Sequence, residues 1–345
     1  MASTMFQTVF SYLHFVVLAY ICAKAMRVLQ FYVLYSSDLS QYKPPSGAGG
    51  GPPWALVTGA SDGIGKAFAQ DLCRRGFNVI IHGRNEEKLR RVAAELGKAH
   101  PTREIRLLVI DATMMAASCW TDETDKMVLD VVDGLELTIL INNVGGAGVA
   151  PRRAWATVTQ RSASELDALI NLNARFMTQM TRLLIPVLAR GRGNKEDLLM
   201  RQRRQRRQRR HRAAIVNVSS GAELLPAPYL VAYSAAKAYV SRWSISLDAE
   251  LRGEGLEIDV HSLIVGAVAT MNAGQDGLMA GLFCPDAETF ATKALAKLGC
   301  GHVVCTPYWP HGLQVAVMAC LPEWLGAKFM RDTARRAMAR MEKAQ

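Results

Sequence analysis

Apolar positions divide this chain into stretches of three kinds. The first is continuous. Met5 to Ala23, MFQTVFSYLHFVVLAYICA, runs nineteen residues without Lys, Arg, Asp or Glu, about the length a helix needs to cross a hydrocarbon core of roughly 30 Å. Lys24 and Arg27 close it, and a shorter apolar run, Val28 to Tyr35, follows. No positive charge precedes the run, as it would in a cleaved leader, so the pattern predicts a membrane anchor over residues 1–36 with the chain after it in the cytosol. A buried or interfacial helix is the alternative. Residues 37–53 contain Pro44, Pro45, Gly47 and the Gly49–Pro53 run, and read as a linker without regular structure.

The second kind is periodic. Short β-branched runs at 54–58, 78–82, 105–110, 138–141, 213–218 and 257–264, with a further one inside 302–309, read as strands. Amphipathic segments separate them: one reaching about Gly76, then 86–100, 118–135, 164–189 and one starting near Val231. Strands alternating with helices predict an α/β unit with a parallel sheet over residues 54–310. The third kind carries charge. Residues 191–212 include RQRRQRRQRRHR, a low-complexity insertion between a helix and the fifth strand. That connection places it at the amino edge of the sheet, opposite the edge where ligands bind. Residues 311–345 form a C-terminal extension, with an apolar segment interrupted by Pro322 and Glu323 and then a basic helix, Arg331 to Lys343. The interruption argues against a second span and for an amphipathic surface helix.

Composition changes this picture little. Half of the 345 residues are hydrophobic, ample for a large core. The net charge of +11 is local: without the eight arginines of 201–212 it is +3. Such a run attracts anionic lipid or nucleic acid, or stays a solvated loop; the charge does not make nucleic acid the main partner. Seven cysteines, at 22, 73, 119, 284, 300, 305 and 320, are odd in number and lack C-x-x-C spacing. That argues against a disulfide framework and a zinc site, so no metal is expected, and it fits a reducing compartment.

The candidate chemistry lies in Ile215–Lys237, IVNVSSGAELLPAPYLVAYSAAK. Tyr233 and Lys237 are four apart on one helical face. A phenol titrates near 10, and a neighbouring ammonium favours its anion, which turns the Tyr into a usable acid/base near neutral pH. Alone, the spacing is also that of an ordinary helix pair. Ser220 ends the preceding strand and can face the phenol. Upstream, Thr58–Gly65 (TGASDGIG) joins a strand to a helix, where glycines admit a pyrophosphate to the free N–H groups of the helix start. At the end of the second strand, where an NAD enzyme places an acidic residue, stands Arg84. It suits a 2′-phosphate, and so NADP(H), or is a solvated surface charge.

Thr58–Gly65, the Asn142–Gly145 sequence NNVG and the Tyr233–Lys237 sequence YSAAK, in that order, resemble the motifs of the short-chain dehydrogenase/reductase family over about Trp54–Thr270. The resemblance implies a Rossmann-type doubly wound parallel sheet of about seven strands. It further implies a catalytic set of Asn173, Ser220, Tyr233 and Lys237, with Asn173 kinking its helix and holding a relay water, and Asn171 as a structural neighbour. Cofactor contacts would come from Thr58, Gly59, Ser61, Asp62, Gly63, Ile64, Gly65, Arg84, Asn143 and Gly145, together with Tyr233 and Lys237. Asp111 would hold the adenine end, or cap a helix. Val265–Thr270 resembles the family's P-G-x-V-x-T with Val in place of Pro, so Val268 and Thr270 would contact the nicotinamide and pyrophosphate. Met271–Gly299 is the expected substrate loop, and it is apolar.

The apolar N-terminus, LLPAPYLVAY and LPEWL narrow the resemblance to the branch of very-long-chain 3-ketoacyl-CoA reductases and 17β-hydroxysteroid dehydrogenases of the endoplasmic reticulum membrane. That branch implies NADPH-dependent reduction of an apolar ketone, an acyl-CoA or a steroid-like one, by a cytosolic catalytic domain. Membrane lipid, a second copy and the other enzymes of fatty acid elongation are the partners it implies. A non-catalytic membrane scaffold of the same fold has no use for four matched polar groups. RNA binding by the arginine run would show as salt-dependent affinity.

Overall fold

The structure is a computed structural model and describes residues 2–44, 51–113, 120–148, 154–189, 212–270 and 280–343. Helix α1 (Ala2–Leu29) continues through a π turn (Gln30–Leu34) and a 3₁₀ turn (Ser40–Tyr42) before the sheet begins. Then follow β1 (Pro53–Val57), α2 (Gly63–Arg74), β2 (Asn78–Gly83), α3 (Glu86–Ala99), β3 (Ile105–Val109), α4 (Asp122–Val132) and β4 (Glu136–Asn142). The second half comprises α5 (Ala163–Ile170), α6 (Phe176–Leu188), β5 (Ala213–Val218), α7 (Val231–Gly253), β6 (Ile258–Leu263), α8 (Ala287–Leu295), β7 (Val304–Cys305), α9 (Trp309–Ala319) and α10 (Glu323–Lys343).

All seven strands pair in parallel, in the order β3-β2-β1-β4-β5-β6-β7. The alternation predicted a parallel sheet, and its doubly wound order is the one the family resemblance implied. The chain builds outward from β1 to β3 and then crosses to β4 on the other side of β1. The switch point therefore lies between the carboxyl ends of β1 and β4, where such sheets bind ligands. Successive residues of each central strand serve opposite layers. Val57, Ile81, Ile141 and Val216 pack with Phe68, Leu72, Leu89 and Phe290 on one face. Leu56, Ile80, Leu140 and Ile215 pack with Val128, Phe176, Leu184 and Leu247 on the other. Burial on both faces is why these strands read as nearly continuous apolar runs.

Three expectations need correction. The segment read as a linker is docked for its first part: Leu39 and Tyr42 are fully buried, and Tyr42 Oη donates to Asp259 Oδ2 at 2.8 Å. Ser37 N–H donates to the Ala296 carbonyl at 2.8 Å, and Arg75 donates to the Ser37 carbonyl at 3.1 Å. Pro and Gly dominate only after Lys43; before it two large apolar side chains find the core. The helix expected over 164–189 is two helices joined by a π turn, Asn171–Arg175. The last strand is only Val304–Cys305, because the chain must turn at Tyr308 to begin α9.

The arginine insertion lies outside the described residues as far as His211. Its last residue, Arg212, pairs with Asp259 at the amino ends of β5 and β6, and its N–H donates to the Gln41 carbonyl at 2.8 Å. That is the sheet edge remote from the switch point. Of the apolar loop after Thr270, residues 271–279 are likewise outside the description.

Candidate active site

The turn after β1 is built on Thr58. Its buried hydroxyl accepts the N–H groups of Asn143 at 2.9 Å and Val144 at 3.0 Å, which fixes the exit of β4 against the exit of β1. Asn143 Nδ2 returns the bond to the Thr58 and Gly59 carbonyls, at 3.0 and 3.3 Å. Gly59 has φ +66°, and a Cβ on Gly65 would lie 2.1 Å from the Gly59 carbonyl oxygen. Only glycine lets α2 start this close to the turn. Asp62 caps α2 through Gly63 N–H at 2.7 Å. Ile64 packs on the apolar layer behind, and Thr270 lies against Gly63, its methyl 3.2 Å from where a Cβ would stand. The result is a backbone cradle at a helix start that fits a dinucleotide pyrophosphate.

His82, at the end of β2, was read from the sequence only as a strand residue. It is buried, its Nδ1 accepts the Gly59 N–H at 3.3 Å, and its Nε2–H donates to the Ile110 carbonyl at 3.1 Å. It thus ties the glycine turn to the ends of β2 and β3. Its ring stacks on Phe176 with centroids 4.7 Å apart. Burial pushes its pKa down to about 4, against a weaker upward pull from the Ile110 carbonyl, so it is neutral. Beside it, Ser61 and the exposed Arg84 flank Gly83, where a Cβ would lie 3.5 Å from Ser61 Oγ. Asp111 closes a turn after β3, accepting from Thr113 N–H at 2.9 Å and Thr113 Oγ1 at 2.7 Å. That is a local turn bond and not a helix cap.

Ser220, Tyr233, Lys237 and Asn173 converge at the carboxyl ends of β4 and β5. The hydroxyl of Ser220 stands near enough to the Tyr233 phenol to pull its pKa down. Lys237, buried, donates from Nζ to the Val218 carbonyl at 2.9 Å and stands 5.7 Å from the Tyr233 ring centroid. A Cβ on Gly145 would lie 2.8 Å from Asn173 Oδ1 and 2.9 Å from Lys237 Nζ, so this glycine keeps the two side chains in one space. Asn173 sits in the π turn. Its Nδ2 donates to the Leu169 carbonyl at 2.9 Å, the bond that the widened turn frees. Asn171 is buried one turn-position away, and Asn142 braces β4 to β5 through Asn217 at 2.8 Å.

The electrostatics differ from the sequence expectation in one respect. Burial raises the Tyr233 phenol, and the Ser220 hydroxyl offsets this only in part. The ammonium lies over the ring, 5.7 Å from its centroid. Lys237 is itself drawn down to about 8 by burial, with Glu223 pulling the other way. Glu223, which the sequence did not single out, accepts from Ser241 Oγ at 2.7 Å and hydrogen-bonds Ser219. Burial raises its pKa as well.

His311 was also missed. It is buried at the start of α9, takes the Gly266 N–H on Nδ1 at 3.2 Å and donates from Nε2 to the Ala267 carbonyl at 3.0 Å. It holds the Val265–Ala269 loop, with Val268 buried, where the family pattern has a Pro. Nothing in a linear motif pairs a His with a loop forty-five residues earlier.

A parallel sheet with a glycine cradle at its switch point and a Tyr–Lys–Ser–Asn cluster beside it defines a nucleotide-dependent dehydrogenase. The sequence profile of the short chain dehydrogenases matches residues 53–279, and the chain belongs to that family. It is similar to the very-long-chain 3-oxoacyl-CoA reductase of Aspergillus clavatus, 33% identical over 309 residues that cover 88% of this chain and 80% of that protein. The enzyme of the same name from Pyricularia oryzae is 30% identical over 306 residues, 85% of this chain and 80% of that protein. Among solved structures, a 7β-hydroxysteroid dehydrogenase superposes with a TM-score of 0.63 at 21% identity, over 81% of this chain and 96% of that one. A Sphingobium yanoikuyae short-chain dehydrogenase solved with NADPH gives 0.58 at 23% identity, over 79% and 97%. The solved structures share the fold.

Proposed function

We propose that this chain reduces a 3-oxoacyl-CoA to the 3-hydroxyacyl-CoA with NADPH, in very-long-chain fatty acid elongation. The observation that carries this is the convergence of Ser220, Tyr233, Lys237 and Asn173 on one point beside the glycine cradle, in a chain alike over most of its length to reductases of that name.

Bound at the cradle, NADPH supplies the hydride for the carbonyl carbon. The Gly59–Gly65 turn and the start of α2 hold its pyrophosphate, with Thr270 alongside. Arg84, exposed next to Ser61 and Gly83, would hold the ribose 2′-phosphate with charge-assisted bonds. Ser220 and Tyr233 donate to the substrate carbonyl oxygen and polarise it, and Tyr233 gives that oxygen its proton. A phenol held protonated by burial suits this acid role. Lys237 uses one of its three N–H bonds on Val218, which leaves two for the nicotinamide ribose. Drawn down to about 8, near the pH of the medium, it would return a proton to Tyr233. Asn173, through its backbone-braced turn, positions the water that links Lys237 to solvent.

The anchor reading assigns Met5–Ala23 to the bilayer with Lys24 and Arg27 at its cytosolic face, in the endoplasmic reticulum. Among the described residues one helical stretch, His14–Leu34, is long and apolar enough to span, with mean hydropathy 1.5. Phe31 and Tyr32 belong to that stretch yet pack on the catalytic unit, which favours ending the span before Lys24. Tyr32 Oη donates to the Thr306 carbonyl at 2.9 Å, and a Cβ on Gly312 would meet the same hydroxyl. The anchor therefore leaves beside α9, at the carboxyl edge of the sheet that holds Tyr233. Leu313, Val317, Trp324 and Phe329 of α9 and α10 are exposed there, above the basic Lys328, Arg331 and Arg335. An anchor leaving there would set the carboxyl edge of the sheet near the lipid, from which an acyl chain would arrive.

The test is NADPH oxidation by the full chain in detergent, with a 3-oxoacyl-CoA series beside a steroid ketone. Turnover of long 3-oxoacyl-CoA well above the steroid supports the reading; the reverse order overturns it.

A further inference from the structure

Three metal-binding side chains that are scattered in the sequence meet at the β7 edge of the sheet. His261 lies on β6, Cys305 on β7, and Cys300 in the turn between α8 and β7; one ligand atom from each lies within 4.8 Å of the other two. His261 and Cys305 are buried and Cys300 is half-buried. We propose that this cluster binds one zinc ion, with the Sγ atoms of Cys300 and Cys305 and the Nε2 of His261 as ligands and water as the fourth.

The donor set selects the ion. Two thiolates and an imidazole suit zinc and exclude magnesium and calcium, which take oxygen ligands. Tetrahedral zinc with bonds of about 2.0–2.3 Å holds neighbouring ligand atoms roughly 3.5–3.8 Å apart, so the cage has to contract by at most about 1 Å. The turn that must move is short, and its two glycines, Gly299 and Gly301, have φ of +79° and +81°.

The imidazole is already oriented for the task. Nε2 accepts the Gly299 N–H at 3.0 Å, so it carries no proton, and Nδ1–H donates to the His302 carbonyl at 2.9 Å. A ligating His keeps its second nitrogen on such a carbonyl. Zinc binding gives up the Gly299 bond and retains the His302 bond.

The position indicates what the ion does. The turn bearing Cys300 grips the segment that follows the apolar N-terminal helix. Lys297 Nζ donates to the carbonyls of Phe31 at 2.6 Å and Tyr35 at 2.5 Å, and Tyr35 Oη donates to the Leu298 carbonyl at 2.7 Å. The His302 ring meets Phe31 edge-on at 5.8 Å. A zinc ion here locks this clamp to β6 and β7. None of the three ligands belongs to the Ser220–Tyr233–Lys237–Asn173 cluster, so the ion lies outside the active site, and the inference does not depend on the substrate proposed above.

The experiment uses the full chain, purified in detergent under reducing conditions without a polyhistidine tag or chelator. Elemental analysis should find close to one zinc per chain, and cobalt exchange should give a thiolate-to-cobalt charge-transfer band. Cys300→Ala and Cys305→Ala should lose both, and Cys284→Ala should keep both. Stripping the zinc should speed proteolysis within residues 24–44 while NADPH still binds. The half-buried Cys300 makes its variant the decisive one if Cys305→Ala does not fold. Absence of zinc and of the cobalt band in the wild type, metal kept in Cys300→Ala, or a Cys300–Cys305 disulfide in its place would overturn the proposal.

Discussion

Asn173 grips Gly146 from both sides: its Oδ1 accepts the Gly146 N–H and its Nδ2 donates to the Gly146 carbonyl, each at 2.9 Å. One amide thereby joins the π turn between α5 and α6 to the loop after β4, with Lys237 Nζ in the same space across Gly145. We expect Asn173→Leu to orphan these backbone groups, at about 1–3 kcal/mol for each buried one. Calorimetry should show a lowered Tm together with lost turnover. A variant with wild-type Tm would mean that the bonds hold nothing in place.

Tyr233→Phe removes only the phenol oxygen, which lies beside Ser220. Turnover should fall by about 10²–10⁴, the worth of a positioned proton donor. NADPH affinity, measured by fluorescence, should change little. More than half of the wild-type kcat in this variant would reject the assignment.

Lys237 gives a prediction in which function and stability oppose each other. Its ammonium titrates near 10.5 when unfolded and at about 8 in the fold. Between those values the unfolded chain binds more protons, so stability rises with pH across that window. Below about pH 8 the buried charge costs about 3 kcal/mol. Lys237→Met should therefore raise the Tm of the cofactor-free chain at pH 7, with a smaller gain toward pH 10, while weakening NADPH and abolishing turnover. A Tm lowered at pH 7 contradicts this account.

Arg84 stands exposed at the end of β2. Arg84→Asp should invert the NADPH/NADH ratio of kcat/KM, by loss of the charge-assisted bonds and by new repulsion. An unchanged ratio would move the 2′-phosphate contact elsewhere. Lys66 is the nearest alternative by sequence, but it is engaged by Glu95.

His311→Phe keeps a ring of similar shape and removes both bonds to the Val265–Ala269 loop. If that loop meets the nicotinamide, KM for NADPH should rise by about tenfold, near 1.4 kcal/mol. Steady-state kinetics with an unchanged KM would show that the loop needs no brace.

The sequence by itself determined the alternation of strand and helix, because burial on both faces leaves a continuous apolar run and each crossover an amphipathic one. It also determined the glycine turn and the Tyr233–Lys237 pair, since a sharp turn and a helical face are fixed by residues within a few positions of each other. Tertiary structure alone decided what depends on distant partners. Leu39 and Tyr42 look like linker until Asp259 and the sheet edge receive them. His82 and His311 are unremarkable until Gly59 and Gly266 place N–H groups on their rings. The cysteines at 300 and 305 look unrelated to His261 until β6 brings it within 4.8 Å of both. The direction of the Tyr233 pKa shift belongs with these. Helical spacing brings an ammonium near a phenol, but it is burial, a property of the whole fold, that raises the phenol's pKa.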